Sequence, residues 1–311
     1  MTKRIALTGA TGFVGGHLLR LLLSRGYKIN ALTRVMQEQI ENVNWVKGDL
    51  ENKDALKELV KDAHVIINVA GLVKAQNKKD FSRANSDAIS NILTSIDKEK
   101  TAPHFIQISS LAAREPQLSD YAFSKNEGEK VLINNEIGIN WTIIRPPGIY
   151  GPNDQETLKI FKLIKWRLAL YPGNKHHRVS WIHVTDLVNA ISRIVEKDQQ
   201  YGTIIEIDDG NKGGYTHAEF FDTIAKNLNI NPIKITAPNF LLKIIGHIND
   251  IMGAILGYAP MLSSKKVNEI CHPDWVCRDT HKFQDDEWHA KYNLTEGLKE
   301  TLDWYKNNKS I

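Results

Sequence analysis

Cysteine is almost missing from this sequence: Cys271 and Cys277 are the two present in 311 residues. Two thiols build no disulfide framework in a chain of this size, as expected for a protein of a reducing cytoplasm. An excess of one charge is lacking too. Forty basic side chains (40 Lys and Arg) stand against 36 acidic ones, a formal net charge of +4, and the basic residues are scattered along the chain. That balance argues against a nucleic-acid partner. The opening MTKRIALTGATG holds no apolar signal segment with a small-residue cleavage site, so secretion is not expected. No internal repeat or low-complexity stretch interrupts the chain. With 42% hydrophobic residues it can bury one large core or two modest ones.

A metal site is not expected. Cys271, His272, Cys277 and His281 form a loose cluster, but its spacing matches no common zinc arrangement and adjacent Cys and His rarely ligate together. His176 and His177, beside a Pro-Gly turn, read as solvated loop residues.

The first half alternates short apolar runs (RIALTG, KINALTR, HVIINVAG, HFIQISS, NWTIIRP) with helical patterns such as VGGHLLRLLLSRG and DALKELVKDA. Continuous apolar strands, each followed by an amphipathic helix, indicate a parallel sheet buried on both faces. The expected fold is α/β, a doubly wound parallel (Rossmann) sheet with a smaller C-terminal substrate lobe. WIHVTDLVNAISRIV and TIIEIDD read as a later helix and strand of the same sheet. The expected division is therefore 1–152 plus 180–209 for the dinucleotide domain, and 153–179 plus 210–311 for the lobe.

Within that lobe, NFLLKIIGHINDIMGAILGY (239–258) carries Leu241, Leu242, Ile245, Ile248, Met252, Ile255 and Leu256 as a helical stripe. Lys243, His247, Asn249 and Asp250 interrupt it, which a membrane-spanning helix would not tolerate, so no integral membrane segment is expected. The expectation is a helix packed over the lobe; a lipid-facing lid or monotopic contact is the alternative.

Directly after the first strand, TGATGFVGG sets Gly9, Gly12 and Gly15 at Gly-x-x-Gly-x-x-Gly spacing and runs into a helix. Such glycines let the backbone turn tightly and approach a pyrophosphate, and the helix N-terminus favours the anion. Thr11, Phe13 and Val14 belong to the same cofactor-binding turn. The second strand ends Leu32-Thr33-Arg34. No carboxylate occupies the ribose position, and Arg34 stands where a 2′-phosphate would be, which favours NADP while leaving NAD open.

YAFSK places Tyr121 and Lys125 four residues apart, on one helix face. On spacing alone that pair is an ordinary amphipathic turn. Together with the glycine motif and the serine pair eleven residues upstream, however, it resembles the extended short-chain dehydrogenase/reductase family, also called NAD-dependent epimerases and dehydratases. GDL at 48–50, NVAG at 68–71, Asn85, RPPGIYGP at 145–152, IHVTDL at 182–187 and LKETLDWY at 298–305 look like that family's landmarks. The resemblance implies that Ser110, Tyr121 and Lys125 form the catalytic group. It also implies that Asp49 and Leu50 lie by the adenine, that Val69, Ala70 and Gly71 pass under the riboses, that Asn85 belongs to the cofactor-binding set, and that Pro146 and Ile149 border the nicotinamide. Pairing of two copies through helices that include AISNILTSI and NEGEKVLI is a further implication.

These residue types suit the chemistry. A phenol with its ordinary pKa of about 10 is a poor base at neutral pH, but an adjacent ammonium stabilises the phenolate, so Tyr121 can exchange a proton with a substrate oxygen. Lys125 also holds the ribose, and Ser110 stabilises the developing alkoxide. Ser109, one place earlier, should point to the opposite face. The nucleotide-sugar branch of the family usually has asparagine where this chain has Gly148, and an Arg-Asp-aromatic step where it has Arg178-Val179-Ser180-Trp181. Ser109-Ser110 also lacks the acidic signal of the dehydratases. With the apolar helix, Trp166 and Trp181, these departures point to a fairly apolar ketone or alcohol as the small-molecule substrate. A nucleotide-sugar epimerase or dehydratase, and a non-catalytic NADP-binding assembly subunit, are the alternatives.

Overall fold

The computed structural model describes residues 3–97, 102–197, 200–260, 262–278 and 288–311. In chain order its elements begin with β1 (Arg4–Thr8), α1 (Phe13–Ser24), β2 (Lys28–Thr33), β3 (Val43–Lys47), α2 (Lys53–Val60) and β4 (Val65–Asn68). Next, α3 (Lys78–Ser82) passes through a π-helical turn (Arg83–Asp87) into α4 (Ala88–Thr94), followed by β5 (His104–Ile108), a 3₁₀ turn (Leu111–Arg114), α5 (Asp120–Ile133) and β6 (Trp141–Arg145). Then come β7 (Gly148–Tyr150), α6 (Gln155–Lys165), β8 (Leu168–Pro172), β9 (Arg178–Val179), β10 (Trp181–His183), α7 (Val184–Lys197) and β11 (Thr203–Glu206). The last are β12 (Tyr215–Thr216), α8 (His217–Leu228), β13 (Ile233–Ala237), α9 (Asn239–Leu256), α10 (Ser264–Ile270), β14 (Asp274–Trp275) and α11 (Leu294–Asn307).

Two units result: Met1–Arg145 with Val188–Ile205, and Pro146–Leu187 with Glu206–Ile311. In the first, seven strands lie in the order β11-β6-β5-β4-β1-β2-β3, and the ladders from β3 through β6 are all parallel. The apolar runs are central strands because both faces are covered: every residue of β4 and β5 is buried. Leu56 and Leu59 of α2, Ile89 and Ile92 of α4 and Leu132 of α5 close one face over Ala6, Ile66, Phe105 and Ile143. The strand order reverses between β1 and β4, which opens a crevice at their C-terminal ends, the usual ligand position in such sheets.

The boundary falls at Arg145 rather than at 152 because Gly148–Tyr150 leaves the large sheet and pairs in parallel with Trp181–His183. The second unit has its own core, in which Tyr150, Phe161, Ile164, Phe220, Ile224, Leu298 and Tyr305 are buried together. Side-chain caps start three of its helices: Asp154 for α6, a Thr216/Glu219 capping box for α8 and Asn293 for α11. A separate small cluster of Ala237, Leu242, Val267 and Cys271 joins α9 and α10.

The helix expected to bury its apolar stripe does the reverse. Of the seven residues in that stripe only Leu242 is buried, and Gly246 and Gly253 are the other buried positions of α9. Two of the interrupting polar residues make inward contacts instead, while Lys243 and His247 are exposed: Asn249 Nδ2 donates to the Leu262 carbonyl, and Asp250 accepts from the backbone and hydroxyl of Ser264.

Candidate active site

The turn after β1 is built for a close approach. Gly9 has a left-handed φ of +72°, and a Cβ there would lie 2.8 Å from the Ala70 backbone nitrogen, so the loops after β1 and β4 touch where the strand order reverses. A Cβ on Gly15 would overlap the Gly9 carbonyl, so α1 rests directly on the turn. Thr8 Oγ1 accepts from Ala70 N at 3.1 Å and ties the two loops together. Gly12 caps α1 without a side-chain hydrogen bond, and the first turn, with Phe13 and Val14, holds no acidic residue. Its amide N–H groups therefore have no side-chain acceptor at the cap, and with Thr11 exposed beside them they suit a pyrophosphate. These residues fit a dinucleotide; when bound, its nicotinamide supplies or accepts a hydride.

Arg34 follows β2 and is exposed, as a partner for a phosphate on the cofactor would be. Asp49, exposed after β3, spends one carboxylate oxygen on the backbone of Glu51 and Asn52, while the Leu50 carbonyl accepts from Asn91. Val69, Ala70 and Gly71 follow β4 directly. Asn85, by contrast, is buried in the π-helical turn with both ends of its amide used: Oδ1 accepts from Leu72 N, and Nδ2 donates to Leu72 O and Ser124 Oγ. It positions the loop after β4 rather than reaching outward. A Cβ on Gly71 would meet Asn85 Oδ1 at 2.6 Å and Lys125 Nζ at 3.0 Å, so the ammonium stands against that loop.

Tyr121 and Lys125 sit in the first two turns of α5, which Ser119 caps by accepting from Ala122 N at 3.0 Å. They are not a surface pair: Tyr121 is 9% exposed and Lys125 6%. Lys125 Nζ donates to the Ile108 carbonyl at the end of β5 (3.2 Å), and the ring of Phe81 meets Tyr121 edge-on at 6.1 Å. Burial lowers the Lys125 pKa from 10.5 to about 8, against the opposing pull of the Glu129 carboxylate. Ser110 caps the 3₁₀ turn, its hydroxyl oxygen accepting from Ala112 N at 3.2 Å, which leaves its proton for donation. Ser109 points elsewhere: its hydroxyl donates to Glu129 at 2.5 Å.

Glu129 is the group that reading the sequence missed. It lies one turn beyond Lys125 on the same stripe, is 2% exposed, and receives Nε and a terminal nitrogen of Arg145 at 2.9 and 2.5 Å. Phenol, ammonium and carboxylate thus recur every four residues along α5, and that repeat was the available signal.

Pro146 and Ile149 belong to the second unit, where Ile149 pairs with Ile182. Beside Ile149 the most constrained position is Gly148. A Cβ there would lie 2.5 Å from the Trp181 indole, which stacks on Phe220 at 4.1 Å and 11°. The indole thus fills the space that a longer side chain at 148 would take. Arg178 is committed to the backbone, donating to the carbonyls of Gly213 and Gly214. His177 is not a freely solvated loop residue, since it is partly buried beside His217 and burial lowers its pKa. Among the described residues no group of three or more His, Cys, Asp or Glu is placed to hold a metal; His281 lies outside them.

Residues 5–207 match the family profile described as "NAD dependent epimerase/dehydratase family". A ceramide reductase of Caulobacter vibrioides is 34% identical over 309 residues, covering 97% of this chain and 94% of that one. The mitochondrial NADH dehydrogenase (ubiquinone) 1 alpha subcomplex subunit 9 of Dictyostelium discoideum is 26% identical over 247 residues, 76% of this chain and 67% of that one. Among solved structures, a UDP-glucuronic acid 4-epimerase from Bacillus cereus in complex with NAD superposes with a TM-score of 0.73 at 17% identity, covering 99% of this chain and 98% of that one. At that identity the likeness speaks for the fold alone.

Proposed function

The chain belongs to the NAD-dependent epimerase/dehydratase family, within the extended short-chain dehydrogenases/reductases, and from that premise we propose that it reduces a ketone on a ceramide-like lipid, using NADPH, in the cytoplasm. As a member of that family it is an NAD(P)-dependent oxidoreductase acting on a small molecule. The single observation that carries the apolar substrate is the indole over Gly148. Where the nucleotide-sugar branch presents an asparagine amide, this chain offers Trp181 stacked on Phe220, and Arg178 is occupied by carbonyls rather than held out for a diphosphate. The similarity to a ceramide reductase over nearly the whole chain supports the same reading.

In the proposed reaction Ser110 donates a hydrogen bond to the ketone oxygen, and Tyr121 gives it a proton as the carbon receives the hydride. The Lys125 ammonium, buried beside the loop after β4, stabilises the phenolate left behind. The balance is ketone, NADPH and a proton to alcohol and NADP⁺. Retention of Ser110, Tyr121 and Lys125 supports catalysis over a purely assembly role of the kind suggested by the similarity to an NADH dehydrogenase subunit.

The test is NADPH oxidation with a long-chain N-acyl amino ketone in detergent micelles, compared with NADH and with a nucleotide sugar. Turnover of the lipid ketone and none of the sugar is expected. Arg34→Ala should lower kcat/KM with NADPH about 10- to 100-fold, the worth of a charge-assisted hydrogen bond, and leave NADH unchanged. Sugar turnover without lipid turnover would overturn the substrate, and an unchanged NADPH preference in Arg34→Ala the cofactor.

A further inference from the structure

The helix α9 is amphipathic the wrong way round for a surface facing water. With successive residues about 100° apart, Phe240, Leu241, Ile244, Ile248, Ile251 and Ile255 fall within an arc of about 100° that includes no polar side chain. All six are exposed, Phe240 by 68% and Ile255 by 73%. The opposite face holds Leu242, Gly246, Asn249, Asp250 and Gly253, and it is small and polar because the chain returns along it: Cβ atoms on Gly246 and Gly253 would touch Ser264 and the Tyr258 carbonyl, at 2.7 and 2.8 Å. An apolar face this continuous in water opposes the hydrophobic effect, and such faces mark a surface that something covers.

Length and composition alone would let the 18-residue helix cross a membrane. Its connections forbid it. Both ends of a helix about 27 Å long are tied to the same unit, by β13 before it and α10 packed against it, and spanning would place Asp250 and Ser264 in hydrocarbon. The helix can therefore only lie flat.

The surroundings identify the covering by charge. β13 runs from Ile233 and Ile235, both exposed, straight into α9, and it pairs with β8 beside Trp166, which is 79% exposed. Residues 157–180 and 223–249, which contain these strands and the first half of α9, hold nine basic side chains and no acidic one. Lys159 and Lys234 pair with Glu156 and Asp222, and Arg178 is held by carbonyls; Lys162, Lys165, Arg167 and Lys243 are exposed. A broad apolar face, an exposed tryptophan just before the adjoining strand β8 and a predominantly basic set of neighbouring segments together match an anionic bilayer surface. A second copy of this chain would bring the same basic segments to meet its own.

We propose that α9 lies in the plane of an anionic lipid bilayer, its apolar face sunk to the acyl-chain boundary, with the basic segments around β8 and β13 on the headgroups. This stands on the surface of the second unit and is independent of the reaction proposed above.

Flotation of the full chain with phosphatidylcholine vesicles, with and without phosphatidylglycerol, tests it, alongside analytical ultracentrifugation. Binding to the phosphatidylglycerol vesicles is expected, weakened by salt. Ile248→Asp and Ile255→Asp should each reduce it about tenfold or more, while Lys162→Glu with Lys165→Glu should reduce it on anionic vesicles only. These positions are exposed, so the variants should keep the fold and the wild-type turnover of a short-chain soluble ketone. No vesicle binding, binding indifferent to Ile248→Asp, or a dimer that Ile248→Asp disperses would each overturn the proposal, the last by giving the face to a second copy. Intact flotation without ketone turnover would overturn the reductase reading alone.

Discussion

Replacing Glu129 by glutamine separates what that carboxylate does for the fold from what it does for the chemistry. The side chain is 2% exposed, holds two nitrogens of Arg145 and the hydroxyl of Ser109, and raises the Lys125 pKa against the effect of burial. Glutamine keeps the shape and removes the charge. Arg145, itself largely buried, then loses the Glu129 charge, and removing one partner of a buried pair costs up to about 3–5 kcal/mol. Denaturant unfolding of the first unit should report that loss. Independently, Lys125 loses the one opposing charge that offsets its desolvation, so its pKa falls below about 8. Because the ammonium is present only below its pKa, wild-type ketone reduction should decline as pH rises through about 8, and in Glu129→Gln that decline should move to lower pH. The double variant Glu129→Gln with Arg145→Gln removes both charges. It should recover part of the stability but keep the shifted limb, since Lys125 still lacks its carboxylate. A pH–rate profile whose alkaline limb stays in place in Glu129→Gln, while stability falls, would refute the electrostatic link between Glu129 and Lys125.

Gly148→Ala should destabilise the second unit by about 1–3 kcal/mol, because the new methyl displaces an indole stacked on Phe220; denaturant titration checks it. Buried His217 has its pKa lowered to about 4 by desolvation and then by His177, against an ordinary 6.5. The unfolded chain therefore binds a proton that the folded one refuses between those values. This part of the stability is complete above about pH 6.5 and drains away as pH falls towards about 4, by up to about 3 kcal/mol. His217→Gln should flatten the pH dependence of the unfolding free energy across that window.

What the sequence determined by itself is local and periodic. The run from β1 through Gly9, Gly12 and Gly15 into α1 needs only adjacent residues to be legible, and so does the alternation of buried strands with helices that yields the parallel sheet. The four-residue spacing of Tyr121 and Lys125 fixes their common face for the same reason. The tertiary structure decided matters of phase and partnership. Periodicity says that α9 has an apolar stripe but not which side meets the protein, and there the glycines and Asp250 took the inside because only small or hydrogen-bonding groups fit against the returning chain. That Glu129 meets Arg145, that the amide of Asn85 is used up on Leu72 and Ser124, and that Trp181 closes over Gly148 are contacts between residues distant in sequence. No local pattern encodes them, because each depends on how separate elements are brought together by the burial of the core.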